Sequence, residues 1–195
     1  MTEILDRQRA RDIRVDTSSA GRRIGDAFAH ITPNWFATVM GTGIVATSAI
    51  SVAGQLQTVQ VLATAIWLLA VVLLVLVSVA FAAHWLRHPV HARHYAMDPV
   101  MVQFYGAIPM ALLTVGAGTI TVGSSTLGSE TAVTVDAVLW SVGTLTGLGT
   151  AIGVPYLMMT RHHRRTDLVA LPAWLMPVVP PMVSATSDAP VAAHD

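Results

Sequence analysis

Long stretches with few or no charges alternate with short charged ones from about residue 33 onward. These stretches cover about 33–52, 58–83, 100–122, 133–159 and 171–186. An α-helix needs roughly 20 consecutive apolar residues to cross the hydrocarbon core of a bilayer, and the first four stretches are long enough. The fifth is shorter and holds Pro177, Pro180 and Pro181. The pattern predicts an all-α integral membrane protein with about five transmembrane helices, numbered as spans one to five.

The composition agrees with a membrane protein. Apolar residues make up 53% of the 195-residue chain and charged residues only 11%, whereas about a quarter of the residues in a soluble domain are charged. Cysteine is absent, which excludes a disulfide framework, a thiol nucleophile and a thiolate metal site. The stretch "GTGIVATS" has glycines but lacks the lysine and the preceding strand of a phosphate-binding loop. The sequence therefore predicts no enzyme, no cofactor and no nucleic-acid partner.

The arginines divide the chain and orient it. Residues 1–30 form a polar tail without the apolar core of a signal peptide, residues 31–186 form the membrane domain, and residues 187–195 form a short second tail. All cationic side chains are arginines, and they lie in the first tail, between spans two and three, and between spans four and five. Because basic residues favour the cytoplasmic side, the N-terminus is predicted to be cytoplasmic, in the plasma membrane.

The spans differ in texture. Span two is rich in Leu, Val and Ile all round, so residues such as Leu74 are expected to face lipid. Spans one, three and five carry small, polar or proline residues instead, and we expect these spans to form an inner layer that lines a pore. The candidate lining residues are Asn34, Thr38, Gly41, Thr42, Ser48, Gly106, Pro109, Met110, Thr114, Pro177 and Pro180.

Close helix packing is the alternative explanation for small residues, because they let transmembrane backbones approach one another. For spans one and three, composition alone leaves packing and pore lining almost equally favoured. For Gly143–Gly147 and Gly149–Gly153 of span four, packing is preferred. Pro109 is expected to bend span three and to free a backbone carbonyl, which a membrane tolerates beside protein or a water-filled cavity.

Three sequence motifs, in the same order along the chain, resemble those of a known transporter family. "PNWFATVMGTGIVA" (Pro33–Ala46) resembles the first helix of the tellurite-resistance/C4-dicarboxylate transporter family, which includes malate permeases, sulfite exporters and plant slow anion channels. "HPV" (His88–Val90) followed by "FYGAIPMALLTVGAG" (Phe104–Gly118) resembles its loop and third helix. "WLMPVVPPMVSA" (Trp174–Ala185) resembles its fifth helix. The resemblance covers about residues 31–185.

The resemblance implies a specific architecture. Ten helices form five hairpins around a pseudo-five-fold axis, with kinked odd helices around a central pore, and the proteins are usually trimers. The chain matches the N-terminal half of this plan, and the family's pore-occluding phenylalanine on the ninth helix has no counterpart in it. We expect transport of a small anion such as a C4-dicarboxylate, sulfite or tellurite, and little transport by these five spans alone.

Two other groups of residues have competing explanations. Histidines gather near the predicted cytoplasmic boundary, at His84, His88, His91, His94, His162 and His163. The i, i+4 pair His84 and His88 could hold a metal or a haem iron, but Pro89 interrupts that segment, so solvated histidines are favoured. A haem or metal redox subunit is the alternative function, and a non-conducting membrane scaffold is a third. Asp136 of span four is expected to be wetted at the interface rather than to relay protons.

The orientation is directly testable. Single cysteines at Ser19, Ser125 and Thr166 are treated with a membrane-impermeant thiol reagent in intact cells. We expect labelling at Ser125 alone, because the arginine pattern places the other two positions inside. Labelling at Ser19 or Thr166 without labelling at Ser125 would show that the predicted orientation is wrong.

Overall fold

The computed structural model describes residues 32–87, 98, 101–161 and 175–187. The described part is helical and contains no strand. In chain order the helices are α1 (Trp35–Ala53), α2 (Gln57–Arg87), α3 (Ala107–Gly118), α4 (Ser124–Leu127), α5 (Ser129–Arg161) and α6 (Val179–Ser187). A 3₁₀ turn (Met101–Gly106) precedes α3, and a π turn (Thr119–Gly123) connects it to α4.

Four of the described segments are long and apolar enough to cross a membrane: Trp35–Ala53, Gln57–Arg87, Met101–Leu127 and Ser129–Thr160. They match the first four predicted spans, which confirms an all-α protein that crosses the membrane several times. Within the fifth predicted span, the described residues form a turn at Leu175 and then the nine-residue helix α6.

Span three (Met101–Leu127) is the central helix of the bundle. Within its most apolar window 72% of the residues are buried, against 17–22% for spans one, two and four. It packs against α1, α2, α5 and α6. The remaining spans therefore surround one helix and expose most of their own surface to whatever lies outside the described bundle.

Glycines bring these neighbours close to span three. A side-chain carbon at Gly106 would clash with the backbone of Met176 and Pro177, ahead of α6. One at Gly116 would lie 2.5 Å from Asp136 Oδ1 on α5. The contact between α1 and span three has its glycine on α1. A Cβ atom at Gly43 would lie 2.7 Å from the methyl carbon of Thr114 on span three. These glycines therefore lie in close contacts between helices.

The π turn coincides with a large aromatic side chain. Trp67 of α2 is only 4% exposed. Its indole lies 2.8 Å from a Cβ position at Gly118 and 2.7 Å from one at Gly123, so only glycines at both ends of the turn leave room for it. A single π turn inside an α-helix is uncommon and changes the direction of the side chains beyond it.

Two hydrophobic clusters join the first three spans. Phe36, Val39, Ala70, Leu74 and Ala111 belong to the larger one, which lies between α1, α2 and α3. Leu74 is 7% exposed, so the expectation that it faces lipid is wrong. The sequence did not show this role, because span two is apolar on every side and its buried side cannot be told from its exposed side by composition.

The larger cluster continues into an aromatic group. The Phe81 ring lies edge-on to three others, with centroid distances of 5.6 Å to Phe36, 6.4 Å to Trp85 and 6.1 Å to Tyr105. These rings come from α1, α2 and the 3₁₀ turn of span three. Edge-to-face pairs add about 0.5–1.5 kcal/mol each beyond the apolar area that they bury, so this group holds the three spans together at the end where Arg87 lies.

Three of the prolines lie at the beginnings of helices. Pro109 lies in the first turn of α3, and Pro180 and Pro181 lie in the first turn of α6. The N–H groups at these positions have no partner within a helix, so a proline there costs no helical hydrogen bond. The chain changes from a 3₁₀ turn to an α-helix just before Pro109, and the expected bend of span three at Pro109 stays a prediction. Pro155 lies within α5.

Two glycine-to-alanine changes test this packing. Gly106→Ala should lower stability by about 1–3 kcal/mol, because the new carbon meets backbone that has little freedom to move. Gly41→Ala should cause no loss, since its Cβ position has nothing within 4 Å and alanine favours a helix by up to about 1 kcal/mol. Thermal unfolding of the two variants in detergent measures the difference. Equal losses would contradict the proposed contacts of span three.

Candidate functional site

A polar surface lies along the exposed side of α1. Asn34, Thr38, Gly41 and Ser48 are exposed, and Thr42 at its edge is half-buried. Four apolar side chains of the same helix are exposed as well: Trp35, Ile44, Val45 and Val52. The opposite side of α1 contains Phe36, Val39, Gly43 and Ala46, which are buried against the neighbouring spans. We call the first set the α1 polar stripe. It runs about 21 Å along the helix, at 1.5 Å per residue.

The hydroxyl groups of this stripe are partly engaged with their own helix. Thr38 Oγ1 donates to the Trp35 carbonyl at 2.6 Å, and Thr42 Oγ1 donates to the Thr38 carbonyl at 2.8 Å. The side chains of Asn34 and Ser48 make no hydrogen bond within the described part of the chain. Free donors therefore lie near the two ends of the stripe, and the middle offers only oxygen lone pairs and methyl groups.

The exposed side of α2 is different. On α2 the exposed side chains include Leu62, Leu69, Val72, Leu76 and Val79. Apolar residues of that kind are suited to hydrocarbon, whereas amide and hydroxyl groups that face lipid lose their hydrogen bonds with water. The α1 polar stripe therefore fits a water-filled space better than the exposed side of α2 does. The long helix α5 also exposes hydroxyl groups, at Thr134, Ser141 and Thr146.

The remaining predicted lining residues are buried in contacts between helices. Gly106 and Pro177 meet where the segment before α6 crosses span three, and Pro109 and Pro180 both lie against Gly147 of α5. Thr114 donates its hydroxyl to the Met110 carbonyl at 2.7 Å, and both residues are buried. The structure thus brings these residues together around span three, while it places the α1 polar stripe on a different, open surface.

The expectations for span four need two corrections. Asp136 is 2% exposed and lies beside Gly116, so it is not wetted at the interface as the sequence suggested. Gly143 and Gly147 do contact Leu113 and Pro180, but nothing lies within 4 Å of a Cβ position at Gly149 or Gly153. The second GxxxG pair is therefore open, and no part of the sequence pattern distinguished it from the first.

The histidine group can be followed at one position. His84 is 3% exposed near the end of α2, so it is not solvated as expected. The other five histidines of the group lie outside the described residues. Among the described residues, no three His, Asp or Glu side chains are grouped as metal ligands.

Comparison with known families decides what kind of protein carries this surface. A family model described as voltage-dependent anion channel matches residues 30–195. The chain belongs to this family. The expected relationship to anion transporters and slow anion channels is confirmed, and the multi-pass membrane architecture agrees with it.

The chain is also similar to curated transporters. The chain is 27% identical over 154 residues to an uncharacterized transporter of Methanocaldococcus jannaschii, covering 79% of this chain and 42% of that protein. It is 25% identical to the sulfite efflux pump of Trichophyton rubrum and 27% identical to that of Arthroderma otae, covering 85% of this chain and 44% of each pump. The chain thus spans less than half the length of these relatives. No solved structure matches it.

Cysteine reactivity tests whether the α1 polar stripe meets water. A thiol reacts as its thiolate, which forms in water and not in hydrocarbon. We expect Thr38→Cys and Ser48→Cys to react with a small water-soluble reagent, and Leu69→Cys and Val72→Cys, which are exposed too, to resist it. The measurement is the fraction labelled in liposomes by mass spectrometry. Equal labelling of all four positions would show that the stripe has no special access to water.

Proposed function

We propose that the chain forms part of a pore for small anions and that the α1 polar stripe lines that pore. The observation that carries this proposal is the exposure of Asn34, Thr38, Gly41 and Ser48 on one helix face of a membrane domain. Membership of an anion channel family supports anions as the transported class. The buried candidates around span three act instead as the packing that holds α1 in place.

The chemistry of the stripe suits passage rather than capture. The hydrogens of Thr38 and Thr42 are bonded to backbone carbonyls, and Gly41 adds space without a polar group. An ion that crosses a pore must bind weakly enough to leave, and a full positive charge at the middle of a membrane is costly. We infer that the amide of Asn34 and the hydroxyl of Ser48 provide weak contacts near the ends of the path.

Charge selection then takes place at the mouth. Arg87 is exposed at the end of α2, and further arginines lie in the tail and in the segment after α5. Basic residues at an entrance raise the local concentration of anions. We place this end in the cytoplasm, the N-terminus with it, and the protein in the plasma membrane.

Sulfite is the first substrate to test, because two of the relatives above carry the name of a sulfite efflux pump. Malate and tellurite are further candidates from the transporter family that the motifs resemble. We also propose assembly as a trimer from that resemblance. The chain covers less than half of each relative, so we expect a complete pore to need further spans besides these five.

A flux assay with matched variants tests the pore. The chain is reconstituted in liposomes alone, and also together with the part of the Trichophyton rubrum pump that the match does not cover. We expect little sulfite flux in the first case and saturable flux in the second. Gly41→Leu should reduce this flux at least about tenfold, which corresponds to roughly 1.4 kcal/mol in the barrier, because the leucine projects from the stripe into the pore.

The control is Ala65→Leu, which adds bulk to an exposed position on α2 and should leave flux unchanged. If Gly41→Leu and Ala65→Leu transport equally, the α1 polar stripe does not line the path. Saturable flux by the chain alone, running as a monomer in detergent, would show that the five spans suffice.

A further inference from the structure

A second open surface lies on the opposite side of span three from α1. A groove of about 180 Å³ separates the 3₁₀ turn of span three from the last third of α5. Val102 and Tyr105 form one wall, and Val154 and Leu157 form part of the other. It is almost entirely apolar, because the Thr150 hydroxyl on its wall donates to the Gly147 carbonyl at 3.0 Å.

Two glycines create this space. Gly149 and Gly153 line the groove, and a Cβ atom at either would have nothing within 4 Å. At the preceding glycines of the same helix, Gly143 and Gly147, the space beside the backbone is occupied by Leu113 and Pro180. The contact between span three and α5 is therefore closed in the middle of the bundle and open near the end where α5 stops.

The groove lies close to the end of α5, whose last residue is an arginine. Leu157 is one helical turn, about 6 Å, from Arg161, the last residue of α5. Tyr156, next to Leu157, is 65% exposed, and exposed tyrosines are typical of the level of lipid headgroups. Leu148 and Ile152 on the same stretch of α5 are exposed apolar side chains that are suited to hydrocarbon. The part of the groove beside Gly149 and Gly153 is therefore farther from the headgroup level than Leu157 is.

We propose that this groove binds one acyl chain of an anionic phospholipid, whose phosphate lies at the Arg161 end of α5. An apolar slot can hold an alkyl chain, because the chain gives the atoms that line the slot van der Waals partners that they otherwise lack. A basic residue directly beyond the slot favours a negative headgroup, as in basic pockets between transmembrane helices. The site is separate from the α1 polar stripe, and it does not depend on anion flux.

Thermal shift measurements on the purified full chain test both parts of the site. Phosphatidylglycerol and phosphatidylcholine with identical acyl chains are added, and we expect phosphatidylglycerol to raise the melting temperature more. Arg161→Gln should remove this difference and keep the shift caused by phosphatidylcholine. Gly153→Leu should reduce both shifts, because leucine occupies the slot, whereas Gly41→Leu, the same change on an open surface elsewhere, should keep both.

Equal shifts with the two lipids on the unchanged protein would overturn the headgroup assignment. Equal responses of Gly153→Leu and Gly41→Leu would overturn the groove. Soluble glycerol phosphate serves as the headgroup without its chains, and a full shift from it would also overturn an acyl-chain site.

Photolabelling locates the lipid without any substitution. Phosphatidylglycerol with a diazirine in its acyl chain is irradiated with the protein, and labelled peptides are identified by mass spectrometry. We expect labelling concentrated in residues 149–157 and at the 3₁₀ turn of span three. Even labelling over the exposed faces of α2 and α5 would mean that lipid covers this bundle without a preferred site.

Discussion

The structure depends on the close approach of span three to the backbones and side chains around it. In a bilayer, water does not drive helices together, so their association relies on tight van der Waals contact and on backbones that can come near one another. Gly106, Gly116, Gly118 and Gly123 provide this on span three, and each meets a different part of its surroundings or a different edge of Trp67. A side chain at these positions separates the helices.

This central role of span three determines what α1 can present. Gly43 and the other buried positions on one side of α1 dock on span three and α2, so the opposite side has to remain outside the described bundle. That free side carries the α1 polar stripe together with the exposed apolar side chains of Trp35, Ile44, Val45 and Val52. The same contact that uses a small residue for packing thus orients Asn34, Thr38 and Ser48 toward the space in which we propose the pore.

The sequence predicted those features that depend on one helix at a time. Span positions follow from length and lack of charge, and the α1 polar stripe follows from the 3.6-residue period. The role of each small residue was not predictable, because Gly41 and Gly43 lie two positions apart on the same helix and only the neighbouring Thr114 distinguishes them. Leu74, Asp136 and the open pair Gly149 and Gly153 escaped prediction for the same reason. The π turn was not predictable either, because Trp67, the side chain that packs against its two glycines, lies on another span.

The hydrogen bonds of the stripe suggest how anion selectivity can arise without a charged binding site. A threonine hydroxyl that donates to its own helix has no hydrogen left for an anion, so Thr38 and Thr42 present oxygen lone pairs that repel it weakly. Such a surface keeps water in the path and holds no ion for long. Attraction then has to come from the arginines beyond the spans, whose effect salt screens over about 8–10 Å. Selection by charge at the mouth and by radius along the stripe is the division of roles that these contacts favour.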